Sequence, residues 1–300
     1  MQKIKYWLSE HPEIVAFRWS PTQSYGSTWS FLVGAITIYI AAATTLHFLL
    51  NTLPLHLLRR RRLRPIPLGP IPAVHSLAMC LISAVIFLGT LLSAASEIRD
   101  TRWLWRRSRT NPVQWLLCFP LGTRPTGRVF FWSYVFYLSR FLHLLRTFFS
   151  VLRRRRLSRL RLFNHSILIV TSFLWLEFSQ SFQVLAILIT TLIYSAVYAY
   201  RFWTEIGLPA VGPVFVVNCQ KLLLCFNLVC HLGVLHLHLI LKGGCNGIGA
   251  WICNSVLNGV ILLLFLKMRF RKTKLRDELE GSVSSVHYKN DQNIVKEKYG

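Results

Sequence analysis

Long apolar stretches separated by short basic runs set the pattern of this chain. A membrane helix needs roughly 20 mostly apolar residues to cross the hydrocarbon layer. By that measure the pattern predicts seven spanning helices: Trp29–Leu50, Ile71–Ala95, Val129–Leu152, Leu162–Phe178, Ser181–Trp203, Val214–Leu241 and Gly249–Met268. Only Ser179 and Gln180 part the fourth from the fifth, so two arrangements stand open: a tight helical hairpin, or spans displaced by a few residues. The fold class is therefore all-α and polytopic, with residues 1–28 ahead of the membrane domain, 29–268 forming it, and a polar tail over 269–300.

Composition agrees with the pattern. The 300 residues are 53% hydrophobic with a mean hydropathy of +0.42, too apolar for one soluble core inside a polar surface. A net charge of +24 raises the question of nucleic acid. The placement answers it: Arg59–Arg62 with Arg64, Arg153–Arg156 with Arg159 and Arg161, and Arg269, Arg271, Lys272, Lys274 and Arg276 each follow an apolar span. Basic residues so placed orient a membrane protein and meet anionic headgroups on its cytosolic side, so no nucleic-acid partner is expected. This topology puts residues 1–28 in the lumen and the C-terminus in the cytosol. The loop Ser96–Arg128 then falls on the lumenal side despite its arginines; its piece "VQWLLCFP" is apolar enough to tuck into membrane or protein. No secretory signal is expected, because the first twenty residues have no apolar core. Near the C-terminus, Lys296 and Lys298 have the spacing of a dilysine retrieval signal for the endoplasmic reticulum, read only on a cytosolic tail; the bland alternative is a charged tail.

The cysteines form no C-x-x-C motif, and those within spans read as small packing residues. Cys118 and Cys245 fall in loops that the topology places in an oxidising lumen, so a disulfide between them is expected. Polar residues inside the spans are costly in lipid and are functional candidates by default. Arg140, His143 and Arg146 recur at helical spacing in the third span, Asn164 and His165 open the fourth, and Tyr194, Tyr198 and Tyr200 lie in the fifth. The sixth holds Asn218, Gln220, Asn227, His231, His236 and His238. His236 and His238 stand two apart on a helix and face different ways, which argues against a di-iron centre, and no metal is expected. "GGCNGIGAW" lacks the strand and lysine of a phosphate loop and reads as a tight lumenal turn. Asn164-His165-Ser166 matches a glycosylation sequon on the wrong side of the membrane for it.

The stretches "CFPLGTRPTGRVFFWSYVFYLSRFLHLLRTFF", "LFNHSILIVTSFLWLEFSQS", "YSAVYAYRFW", "VVNCQKLLL" and "GGCNGIGAWICNSVLNGVILLLF" resemble, in order and spacing, the ELO family of fatty-acid elongases, closest to its plant ELO-like branch. That resemblance implies seven helices around an acyl-chain tunnel, in the endoplasmic-reticulum membrane. It implies condensation of malonyl-CoA with a fatty acyl-CoA to a 3-oxoacyl-CoA, with both CoA esters as substrates and no cofactor. Membrane lipid, other elongation enzymes or a second copy of the chain are the implied partners.

The family's boxes are altered here. Where it has K-x-x-E-x-x-D-T, this chain has Arg140, His143, Arg146 and Thr147; where it has H-x-x-H-H, Arg161, Asn164 and His165. H-x-x-M-Y-x-Y-Y becomes Tyr194, Val197, Tyr198, Tyr200 and Arg201, and T-x-x-Q-x-x-Q becomes Val217, Gln220 and Leu223. An imidazole can carry an acyl group or move protons near neutral pH; arginine, asparagine and tyrosine do neither there. The resemblance thus implies His165 and His143, with Tyr198, as catalytic candidates. Arg140, Arg146, Thr147, Arg161, Asn164, Tyr194, Tyr200 and Gln220 are the candidate substrate contacts. Two readings stand open: a condensing enzyme with a rearranged histidine pair, and an acyl-CoA-binding regulator or scaffold of the elongation complex.

Overall fold

The computed structural model describes residues 2–52, 66–100, 111–154, 157–209, 212, 214–241, 243–264 and 266–267. The basic run after the first span, the cluster over 269–276 and the dilysine pair Lys296 and Lys298 lie outside the described residues. The main helices are α1 (Trp29–His47), α2 (Ile71–Asp100), α3 (Pro112–Leu117), α4 (Arg128–Leu152), α5 (Arg159–Glu177), α6 (Gln183–Glu205), α7 (Val214–Ile240) and α8 (Ile248–Leu264). Helices dominate because nothing in hydrocarbon can pair a free backbone N–H or C=O. Local signals set their ends: the Thr28 hydroxyl accepts from Phe31 N at 3.3 Å to open α1, and Pro112 begins α3.

Five helices, α1, α2, α4, α6 and α7, are long and apolar enough to cross a membrane, as in a polytopic membrane protein. The expected fourth and seventh spans exist as helices but fall short of that measure. In α5 the first turns carry Arg159, Arg161, Asn164 and His165; the described stretch of α8 is Ile248–Leu264, with helix described again at 266–267. The chain divides into two compact units, Met1–Ser255 and Val256 onward. The described part of the second is the apolar latter half of α8 with residues 266–267.

Within the first unit, α2 packs along α6, and α4 packs against both α2 and α5. One core joins Leu32 and Tyr39 of α1 to Phe130, Tyr137 and Leu144 of α4 and Phe173 of α5. A second joins Ile86 of α2, Trp132 and Phe136 of α4, Trp175 of α5, Ile187 of α6 and Val234 of α7. The leading segment is built onto this bundle: Trp19 Nε1 donates to Glu177 Oε2 at 2.9 Å, Trp19 N to Pro125 O at 3.0 Å, and Gly127 N to Phe17 O at 2.8 Å.

The loops at that end are clasped by Asn246. Its Nδ2 donates to Phe178 O at 3.2 Å and Ser179 O at 3.1 Å, its N to Phe119 O at 2.9 Å, and its Oδ1 accepts from Gly122 N at 3.2 Å. Ser181 Oγ completes the knot, donating to Asn246 O at 2.9 Å and accepting from Phe119 N at 3.1 Å. Cys118 and Cys245 are joined beside it by a disulfide, with Cα atoms 5.1 Å apart. Gly247 follows at φ +70°, where a Cβ would stand 2.8 Å from Gln180 Cα. "GGCNGIGAW" is therefore a turn whose polar residue ties three loops together.

Gly89 of α2 meets Trp132 of α4 face on: a Cβ there would lie 2.1 Å from the indole, whose Nε1 donates to Leu8 O at 2.8 Å. Gly89→Ala is expected to push the ring aside, break that bond and cost about 1–3 kcal/mol. A fall in thermal midpoint in detergent, absent in Gly34→Ala where a Cβ meets open space, checks it.

Candidate functional site

The middle of α4 turns a row of unusual residues into the bundle. Arg140 is 2% exposed, His143 5% and Thr147 not at all. Their spacing follows the 3.6-residue period, and the opposite wall comes from α6, where Tyr194 and Tyr198 are four residues apart. His143 Nδ1 and Tyr198 Oη are 2.6 Å apart, and the His143 ring lies 5.0 Å from that of Tyr194. The Arg140 guanidinium sits over the Phe136 ring at 3.7 Å and over Tyr194 at 4.9 Å. His165 on α5 is partly buried and is an electrostatic neighbour of His143, Arg140, Arg146 and Arg161. The histidine pair expected from the sequence is thus brought to one region of α4, α5 and α6.

Arg140 is the outstanding group. Its Nε and Nη1 are buried without a hydrogen-bond partner, and among the described residues neither it, Arg146 nor Arg161 forms an ion pair. An arginine at the centre of a membrane helix costs about 2.5 kcal/mol or more, and the stacked rings offset only part of that. A cation held so, with two donor nitrogens open, has the chemistry to receive an anion or an oxygen that develops negative charge.

The other expected residues divide. Arg161 donates to Ser150 Oγ at 2.8 Å, on a basic rim where Arg153 grips Glu205 through two bonds of 3.2 and 2.6 Å and Arg154 donates to Leu50 O. Arg146 and Asn164 are partly buried on α4 and α5. Thr147 shares a 2.9 Å bond with Tyr39 Oη, so it joins α4 to α1 rather than facing the cluster. Tyr200 is drawn away: its hydroxyl donates to Gly212 O at 2.8 Å and its ring packs on Phe215. Gln220 is exposed on α7, because its turn of that helix packs on little else. Neither Tyr200 nor Gln220 belongs to the cluster.

The histidines of α7 take up separate contacts. His231 Nδ1 pairs with Ser255 Oγ at 2.9 Å, and His238 Nδ1 accepts from Cys245 N at 2.9 Å, while His236 is exposed. Among the described residues no three His, Cys, Asp or Glu side chains are grouped to hold a metal ion. Sequence reasoning missed Asn246, Ser181, Gln180 and Gln183, although the turn chemistry around "GGCNG" was the available signal for Asn246.

Comparison with known proteins adds the chain's relatives. The model of the ELO family, GNS1/SUR4, matches residues 24–277. A "Fatty acid elongase 3-like" protein of Arabidopsis thaliana is 65% identical over 273 residues, 90% of this chain and 92% of the relative. "Fatty acid elongase A" of Dictyostelium discoideum is 26% identical over 158 residues, 53% of this chain and 54% of that protein.

If Arg140 is kept for a ligand, it is a burden to the empty protein. Arg140→Met, similar in length but uncharged, is expected to raise the thermal midpoint of the ligand-free protein, worth about 1–4 kcal/mol, while acyl-CoA no longer stabilises it. Thermal unfolding with and without acyl-CoA measures both; a lowered ligand-free midpoint would make the guanidinium a structural group.

Proposed function

Because the chain belongs to the ELO family of fatty acid elongase-like proteins, we propose that it condenses malonyl-CoA with a fatty acyl-CoA to a 3-oxoacyl-CoA in the endoplasmic-reticulum membrane. The observation that carries this reading is the buried Arg140, whose Nε and Nη1 have no hydrogen-bond partner, beside His143 and Tyr198. In it, α5 and α8 complete a set of seven spans, the acyl chain lies in a tunnel between helices, and the basic rim faces the cytosol with the C-terminus. The polar CoA of each substrate meets Arg146, Arg161 and Asn164 at that rim.

Acyl transfer begins with the imidazole of His165. It attacks the acyl thioester carbonyl, the C–S bond breaks, and CoA leaves as a thiolate that takes up a proton. Malonyl-CoA then loses CO2, and the electron pair left on its α-carbon forms a C–C bond to the acyl carbonyl carbon, releasing His165. Arg140, with Tyr194, holds the thioester oxygen on which enolate charge develops. Tyr198 fixes the ring of His143 so that its second nitrogen can manage protons. No cofactor enters; membrane lipid, other elongation enzymes or a second copy are the partners.

One observation favours a second reading. Arg161 and Tyr194, at positions where the family has histidine, are engaged with Ser150 and with Arg140, so neither position supplies an imidazole. A regulator that binds acyl-CoA without turnover would look the same.

A microsomal assay with labelled malonyl-CoA, in a host lacking its own elongases, separates the two. Condensing activity predicts product from the native chain that falls ~100-fold or more in His165→Ala. No product from the native chain, retained acyl-CoA binding, and product regained in Arg161→His/Asn164→His/Tyr194→His together establish the regulator.

A further inference from the structure

At the clasped end of the bundle stands a second set of buried polar groups, away from the arginine cluster. Gln183 opens α6 with no exposed surface, yet neither its Nε2 nor its Oε1 has a hydrogen-bond partner. In the turn before it, Gln180 is equally buried; its Oε1 accepts from Asn254 Nδ2 at 2.8 Å, but its Nε2 is unpaired. Trp175, 9% exposed in the last turn of α5, has an unpaired Nε1. These groups stand within one tied segment, for Gln180 N donates to Trp175 O at 3.1 Å and Ser181 is locked to Asn246. Polar hydrogens left bare in a protein interior cost free energy at every one of them.

The segment is connected to the site above it. Gln183, Ile187, Thr190, Tyr194 and Tyr198 recur at spacings of three and four, so Gln183 shares a face of α6 with the two tyrosines, ~16 Å along the axis from Tyr194. A row of rings links the same two places: Arg140 over Phe136, Phe136 stacked on Trp175 at 5.7 Å, Trp175 against Phe182 at 6.3 Å, and Phe182 against His231 at 4.8 Å.

The unmet groups have a definite complement. Three side chains offer N–H donors, and Gln183 offers one acceptor. A carboxylate would leave that acceptor empty and bury a charge; an ammonium would leave the donors empty; a methyl terminus would leave everything empty. A hydroxyl, with one hydrogen and two lone pairs, answers both kinds. We propose that the Trp175–Gln183 turn is a binding site for a hydroxyl carried at or near the far end of the acyl chain, so that the protein prefers hydroxylated acyl-CoAs. This rests on the acyl-CoA reading of the arginine cluster.

The test uses the full-length protein in detergent and displacement of a radiolabelled unsubstituted acyl-CoA. The competitors are pairs of equal chain length, one plain and one bearing a terminal hydroxyl, over a series of lengths. The native chain is expected to favour the hydroxylated member by about tenfold or more at its best length, since a site with bare hydrogen-bonding groups rejects the analogue that cannot fill them. Gln183→Leu is expected to abolish the preference while plain acyl-CoA still binds, and Trp175→Phe, which removes the N–H together with part of the ring, to reduce it about threefold. Equal binding of both members by the native chain, or a preference unchanged in both variants, overturns the inference and leaves ordered water as the occupant. If neither member displaces the label, or the label never binds, the acyl-CoA reading fails and this inference with it.

Discussion

The Asn246 side chain does more to set this structure than any apolar contact, because it fixes helices at their ends. Bonds from one residue reach the α3–α4 loop, the α5–α6 turn and the loop before α8. A helix rises 1.5 Å per residue, so fixing one end fixes the height of every side chain along it. That is how Arg140 and His143, on α4, come level with Tyr194 and Tyr198, on α6. Slippage by a single residue would turn each of them about 100° and dissolve the cluster.

The cluster has an electrostatic character of its own. His143 and Arg146 stand where the family motif has acids, so Arg140 has no carboxylate beside it among the described residues. Rings take up part of the role: Phe136 and Tyr194 cover the guanidinium, and Tyr198 engages the histidine. The result is a guanidinium covered by rings and, among the described residues, not paired with a carboxylate, which separates it from a buried ion pair that serves packing alone.

Much of this was legible in the chain itself. Apolar runs gave the helices, and the three- and four-residue spacing gave the inward row of α4, because both are local properties that a helix repeats. The fourth span fell short through the charged and polar residues of its first turns, Arg159, Arg161 and Asn164, which were visible in its sequence. Tyr200 and Gln220 were misplaced for another reason. Periodicity tells which residues share a face but not what lies opposite, and Tyr200 found a loop carbonyl while Gln220 is exposed. Gln183 was missed because a polar residue at a helix start reads as an ordinary boundary until its burial is known.

The position of Asn246 along the chain also bears on how the protein is made. The carbonyls of Phe178 and Ser179 and the amide of Gly122 belong to segments synthesised well before it. During translation those groups have no partner until α7 has been threaded and the loop behind it emerges. Until then that end of the earlier helices lacks its clasp, and its polar groups are left to water. The clasp is thus a late residue closing early ones, added to helices that already share apolar cores.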